Sequence, residues 1–434
     1  MNQKIIYWLA VQMICCSASG SEEKTISEKS LDLKTVQVMS EETQKPVSLV
    51  LNLKNIGEAI SRFNPDLAAA RLRIDEARGR ARQAGLLPNP ALSTSFEQDP
   101  TFRELGVGIG FSQTFPVTSR LRLEKEISKT EVSVAEAEVA DVKRQITGEA
   151  RQMAVRYLAL QQQKDLRLQQ LRLAMELADY TERVAKKGEG SQLDAAQAKL
   201  EANQFEVLIR QLDTSAQQQI GILKPLIGLT PGDTLSLDGS LSEVSMSPVK
   251  NLDLNQRKDY VAAELSVDAA GRAVNLEKAR KWQDITAGLF AGFLREEDVP
   301  IGLEAEQRVG FQISFPLPLW NKNRGAVEER KATKRRLELS LSALDNRIRN
   351  EVQTAYLVMR TQAKLASDIE TRLIPDSKKQ VTDTNLAYRN GQINLLTVLR
   401  ARDQYLDLQS GLMTAQRDFH LARIRYETAL GKTN

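Results

Sequence analysis

The 434-residue chain carries 60 lysine and arginine residues against 56 aspartate and glutamate, with one histidine and two cysteines, for a formal net charge of +4. So small an excess, spread along helical stretches without aromatic interleaving, gives no support to nucleic-acid binding. With 27% charged and 5% aromatic residues, the composition is thin material for large globular cores and suits elongated helical packing.

Lys4, the apolar run Ile5 to Cys16 and Ala18-Ser19-Gly20 have the three regions of a secretory leader, so residues 1–20 are expected to be a signal peptide. The alternative is a transmembrane anchor, for which twelve mostly apolar residues are short. Cys15 and Cys16 both lie at its end. Cleavage after Gly20 leaves a thiol-free chain, and cleavage before Cys16 leaves that residue as a lipid-modified N-terminus, although Met13-Ile14-Cys15 fits a lipoprotein box poorly. A structural disulfide is excluded unless both cysteines survive.

Residues 21–52 are polar, without a steady period, and are read as a flexible or loosely docked N-terminal extension. A first repeat is expected over 53–227. It opens with a helix from Leu53 to Leu86, with Ile56, Ile60, Phe63, Leu67, Ala70 and Ile74 on one face, closed by Leu87-Pro-Asn-Pro90. A β-hairpin over 91–116 comes next, in which Val107, Ile109, Phe111 and Phe115 alternate with glycine, serine and threonine. A long helical hairpin is expected over 118–227: between Ser119 and Lys187 there is no proline and one glycine, Gly148, which at 1.5 Å per residue spans roughly 104 Å. Gly228 to Asn255, with Pro231-Gly232, Asp238-Gly239 and Pro248, breaks the helical pattern, so 228–256 is read as an equatorial linker.

The second repeat, 257–431, is expected to hold a helix, a β-hairpin over 284–316 and a helical hairpin over 322–430, with Pro375 interrupting its first long arm. The duplication is written in the residues. Gly106-Val-Gly-Ile-Gly-Phe-Ser-Gln-Thr-Phe-Pro116 and Val309-Gly-Phe-Gln-Ile-Ser-Phe-Pro316 end 200 positions apart, and Gly188-Glu-Gly-Ser-Gln-Leu193 and Gly391-Gln-Ile-Asn-Leu-Leu396 stand at an offset of 203.

The four strands carry apolar residues on one face and small or polar residues on the other, where Phe290 falls with Thr286, Gly288 and Gly292, and Trp282 and Trp320 stand beside them. A soluble hairpin would need a core over the apolar face, yet the flanking helices are highly charged. In a membrane barrel that face meets lipid and the small face meets a water-filled lumen. Four strands cannot close a pore, so copies must share it: two chains give eight strands filled by side chains, three give twelve around an aqueous channel.

Catalytic chemistry is not written in the chain. His420 is the only histidine and no metal-ligand spacing surrounds it, so it is expected on a helix surface or between helices. Gly106-Val-Gly-Ile-Gly110 alternates as a strand and lacks the continuation that a phosphate loop requires. Glu296, Glu297, Asp298, Glu304 and Glu306 form an acidic loop, either simply solvated or gathering cations at a pore mouth.

The order of leader, helix, hairpin, long helical hairpin and a repeat of the set resembles the TolC-like outer-membrane efflux family over residues 53–431. Phe315-Pro-Leu-Pro-Leu-Trp320-Asn-Lys-Asn-Arg-Gly325 is most similar to the junction in its heavy-metal branch, which works with resistance-nodulation-division (RND) cation pumps. The resemblance implies a mainly α fold with a small β part: a homotrimer whose duplicated helical hairpins form an α-barrel through the periplasm, and whose strands form a shared twelve-stranded barrel in outer-membrane lipid. It implies a passive conduit without enzymatic activity or cofactor, working with a periplasmic adaptor and an inner-membrane RND pump. Carried over onto this chain, Gly188, Gly190, Ser191 and Gly391 become adaptor-docking tips and Pro116 and Pro316 strand-helix junctions. Some relatives narrow the mouth with acids after the second tip glycine; here Thr397 and Arg400 stand there, and Asp194 keeps an acid in the first copy, so Asp194 and Arg400 are the expected pore-entrance residues. Two other functions remain open at this point: a multidrug or type I protein secretion channel, and a periplasmic coiled-coil scaffold without a pore.

Overall fold

The computed structural model describes residues 48–100, 103–246, 252–298 and 302–432. The expected signal peptide, Cys16, residues 21–47 of the extension and Pro248 of the linker lie outside them.

The first copy begins with β1 (Ser48–Leu51), α1 (Ile56–Phe63) and α2 (Pro65–Gln83). Strands β2 (Ala91–Gln98) and β3 (Leu105–Phe115) come next, then the long helix α3 (Arg120–Lys186) and its return α4 (Gln192–Ile227). The linker contributes β4 (Thr234–Leu237) and a 3-10 turn, Leu254–Gln256. The second copy holds α5 (Lys258–Ala279), β5 (Ile285–Asp298), β6 (Gly302–Ser314), α6 (Arg324–Asp368), a π-turn (Ile369–Leu373), α7 (Ile374–Arg389) and α8 (Leu395–Ala429).

Three sequence expectations change here. The last residues of the supposed extension are not loose, because β1 pairs in parallel with β4, Ser48 opposite Thr234 through Leu51 opposite Leu237. The first helix is two helices. Asn64 accepts a 2.6 Å hydrogen bond from the Leu67 N–H and Pro65 sits at the first helical position, where its missing N–H costs nothing, so α2 restarts with a new direction. That break turns Phe63 out to 54% exposure while Ile56, Ile60 and Leu67 stay buried.

Those three join Leu51, Ala150 and Ala154 of α3 and Leu223 and Ile227 of α4 in the principal core. Each fully buried leucine or isoleucine contributes about 1.5–3 kcal/mol, and the alanines of α3 let neighbouring backbones approach closely. Further cores pair Val155 and Leu158 with Leu241, Leu421 and Ile424, and Met359 with Phe419 and Tyr426. Smaller ones, Ala174 with Phe205 and Leu177 with Leu395, run towards the helix tips. His420 lies in this interior: its Nε2 is 3.0 Å from the Leu241 carbonyl.

The 67 residues of α3 run unbroken for about 100 Å. Its counterpart is interrupted. Pro375 has no N–H for the Thr371 carbonyl and its ring crowds that group, and the π-turn over Ile369–Leu373 widens the helix in the turn before it.

Candidate functional site

Strands β2, β3, β5 and β6 form one antiparallel sheet in that order. Register sets its two faces. Leu92 stands opposite Phe111, Phe111 opposite Leu289, and Leu289 opposite Phe311; Val107, Ile109, Ala287, Ala291, Phe293, Val309 and Ile313 share that face. Thr94, Gln113 and Gln307, the last opposite Phe293, break its apolar run, and Gln113 donates to the Pro88 carbonyl at 2.9 Å. The side chains are uncovered, with Leu92 at 70%, Phe311 at 63% and Val309 at 84% exposure. Burying such a face in water-soluble form would need a second layer, and among the described residues none lies against it.

The opposite face is made of Ser93, Ser95, Gly106, Gly108, Gly110, Ser112, Gly288, Gly292, Gly310 and Gln312, and is tied by a 3.0 Å contact between the Thr114 and Thr286 hydroxyls. One aromatic residue stands among them, with Leu294 and Arg308 nearer the turn end. Phe290 lies across Gly310, where a Cβ would collide with its ring. Parity in the sequence placed Phe290 on this face; that it covers a glycine of the next strand was not readable. Near the turn end of the sheet, Arg308 pairs with Glu296 at 3.8 Å and Glu306 at 3.4 Å, so the acidic loop is partly neutralised by a residue the sequence reading passed over.

The two helix tips are built alike. At the first, the Gly188 N–H donates to the Ala185 carbonyl at 3.0 Å and the Glu189 N–H to Val184 at 3.1 Å; at the second, Gly391 donates to Tyr388 and Gln392 to Ala387, both at 2.9 Å. This pairing is a Schellman ending, which needs a left-handed residue just past the helix. Gly188 (φ 81°) and Gly391 (φ 70°) supply it. Three residues on, Ser191 accepts from the Leu193 N–H and starts α4, while Asn394 accepts from the Thr397 N–H and hydroxyl and starts α8. Gly190 packs against Val184 within the first turn. Asn394 is a tip residue that sequence reasoning missed, although its equivalence to Ser191 at the 203 offset was there to find.

Asp194 lies half-buried in the first turn of α4, and Arg400 is exposed on α8. Among the described residues no ion pair joins them. Asp194 instead sits by Tyr388, whose hydroxyl is raised by burial first and then by the Asp194 carboxylate. Further from the tips, Gln170, Glu201, Phe205, Asn385, Arg402 and Tyr405 line a cavity of about 290 Å³ between α3, α4, α7 and α8. Burial raises the Glu201 carboxyl despite the opposing pull of Arg402, and burial lowers the Arg402 guanidinium, which donates to Asn385 at 3.1 Å. Pro116 and Pro316 stand just beyond β3 and β6, so each ends a strand before its long helix begins.

Among the described residues, no group of three or more histidine, cysteine, aspartate or glutamate side chains could hold a metal ion, and no helix is long and apolar enough to cross a membrane. The lack of a spanning helix says nothing of a β-barrel.

Comparison with known proteins adds the family. The family model described as outer membrane efflux protein matches residues 56–229 and 251–432. The cobalt-zinc-cadmium resistance protein CzcC of Cupriavidus metallidurans is 24% identical over 409 residues, spanning 92% of this chain and 90% of that protein. Among solved structures, CusC, described for its folding and transmembrane channel formation, gives a TM-score of 0.74 at 17% identity over 87% of this chain and 92% of that one. The open state of the Neisseria gonorrhoeae MtrE outer membrane channel gives 0.72 at 17% identity over 88% and 89%. The structural likenesses show a shared fold, and the match to both repeats gives the conclusion: the chain belongs to the outer membrane efflux protein family.

Proposed function

We propose that three copies of this chain form the exit duct of a tripartite efflux system that exports metal cations. The observation that carries the reading is the uncovered apolar face of the four-stranded sheet, opposite a face of glycine, serine and threonine. In lipid an open sheet edge is not tolerated, so β2 and β6, the two edges, must pair with other copies. Three copies give twelve strands and an aqueous lumen. The long helical hairpins then cross the periplasm, and energy comes from an inner-membrane RND pump through an adaptor that meets the tips at Gly188, Gly190, Ser191 and Gly391.

Asp194 and Arg400 line the periplasmic mouth in this reading, and Cys16 is the candidate lipid attachment point. Cation cargo is supported by the likeness to CzcC, whose name attaches it to cobalt, zinc and cadmium resistance. The duct needs no ligand set of its own, because selection resides in the pump. Phe311→Arg tests the barrel: a mid-bilayer arginine costs about 2–4 kcal/mol per copy, so heat-modifiable oligomers on unheated gels should be lost. Wild-type amounts of such oligomers would remove the barrel assignment.

A further inference from the structure

The two strand-to-helix junctions differ. Between β3 and α3 the chain needs only Pro116-Val-Thr-Ser119, whereas between β6 and α6 it runs from Phe315 to Asn323 through Pro316-Leu-Pro-Leu-Trp320. The longer one displays Leu317 at 62%, Leu319 at 60% and Trp320 at 92% exposure. It is nonetheless held. Asn323, the only non-glycine with positive φ among the described residues (55°), donates from Nδ2 to the Glu277 carbonyl oxygen at 2.8 Å and to its Oε2 at 2.9 Å. The Asn323 N–H donates to Asn321 Oδ1 at 3.0 Å, and the Leu319 N–H to the Leu317 carbonyl at 2.9 Å.

This display follows directly on the apolar sheet face along the chain. Val309, Phe311 and Ile313 occupy that face, the strand ends at Ser314, and the exposed Phe315, Leu317 and Leu319 come next. Trp282 stacks on Phe315 with centroids 6.2 Å apart, and the Lys281 ammonium stands 5.5 Å from the Trp282 ring centroid. The charges around it are unequal. Asp284 is taken by Arg120, Glu124 by Arg120 and Arg280, and Glu277 by Arg280 and Asn323. Lys281, Lys322 and Arg324 enter no ion pair among the described residues. An apolar shelf with two tryptophans at its edge and cations free of carboxylate partners beside it has the chemistry of a membrane boundary on the side where headgroup phosphates lie.

We propose that the β6–α6 junction is a phospholipid site. It takes an anionic phospholipid of the periplasmic leaflet, with Lys281, Lys322 and Arg324 meeting the phosphate, Leu317 and Leu319 the acyl chains, and Trp282 and Trp320 the boundary between them. The first-copy junction is shorter and has no tryptophan beside it, so the proposal assigns one site to each protomer. The proposal rests on the outer-membrane reading, and its test is arranged so that the two fail separately.

The full-length oligomer is reconstituted in bilayers of phosphatidylglycerol and phosphatidylcholine, using Trp8→Phe and Trp282→Phe so that Trp320 is the remaining tryptophan. Bromine near the headgroup end of the acyl chain should quench Trp320 emission strongly, and bromine at the chain end weakly. No quenching by either lipid overturns the proposal and indicates that water or a neighbouring protomer covers the junction. A Phe311→Trp reporter in a chain lacking the other tryptophans serves as the control. If it too escapes quenching, the barrel assignment has failed. Lys281→Gln with Lys322→Gln should lower phosphatidylglycerol enrichment among co-purified lipids by roughly thirtyfold, given about 1 kcal/mol for each of the two basic residues at an anionic surface. Unchanged enrichment in intact oligomers overturns the headgroup assignment.

Discussion

The long arm of the first repeat and that of the second come from one duplicated plan and are built differently. Helix α3 is continuous and buries residues from Ala135 to Thr181. It packs on α2, α4, α5 and α8. Helices α6 and α7 are separated by the π-turn, and among their residues only Ile348, Ala355, Met359, Ala366 and Ser377 are buried. One arm is the column on which the protomer is assembled; the other is bound mainly to α8 and α5 and carries a built-in bend. Duplication therefore conserves the tips and lets the shafts diverge.

The bases of the return helices diverge in the same sense, and comparing them gives the largest expected effect. In the first copy Asn64 Nδ2 donates to the Leu226 carbonyl at 2.9 Å; in the second Arg257 Nη1 donates to the Ala429 carbonyl at 3.0 Å, and the two carbonyls stand 203 positions apart. Arg257 also holds Asp259 at 2.6 Å and Glu351 at 3.2 Å. Arg257→Ala strands these groups and should cost about 3 kcal/mol per protomer, whereas Asn64→Ala, losing a cap and a neutral donor, should cost about 1–2 kcal/mol. Thermal melting of the purified oligomer reads both, and equal losses would remove the distinction between the two bases.

At the tips the copies should behave alike. Gly188→Ala and Gly391→Ala each place a side chain in left-handed backbone with open space around it, so strain alone acts, at about 1–2 kcal/mol per site. Melting of each variant measures it. A clearly larger loss at one tip would show that its turn is held by contacts the other lacks. Gly391→Pro should go further, distorting the turn and reducing crosslinking to the adaptor while leaving barrel assembly intact.

Much of the molecule was legible in the chain because its signals are local. Period-two alternation of apolar with small or polar residues identified the strands, and the glycines repeated at an offset of 203 marked the tips. The parallel pair β1–β4 was not legible, since four-residue strands 186 positions apart at Ser48 and Thr234 leave no usable period. The Asn64-Pro65 break was written there and overlooked. The electrostatic influence of Asp194 on Tyr388, the cavity at Gln170 and Glu201, and the Arg257 cluster depend on which helices become neighbours, which no single helix reveals.

Smaller effects sharpen the comparison of the shafts. Pro375→Ala restores an N–H for the Thr371 carbonyl and should shorten the π-turn, changing melting by less than about 1 kcal/mol but altering channel conductance. An equal conductance would show that the bend has no part in the path. His420 gives a pH signature. Burial foremost, then Arg423, holds its imidazole below the ordinary value of 6.5. Below 6.5 the unfolded chain is protonated there while the folded one remains neutral, so stability is full above that pH and falls as pH drops towards the depressed folded value. His420→Gln should flatten this slope, and an unchanged slope would place its origin elsewhere.

The central claim, that copies of this chain close a water-filled duct through a membrane, is tested most directly by single-channel recording of the purified protein in planar bilayers, with the oligomer's mass determined in the same detergent. The account predicts a trimer that conducts ions, or one that begins to conduct when Asp194 or Arg400 is replaced. A detergent-free monomer or dimer that never inserts would contradict it.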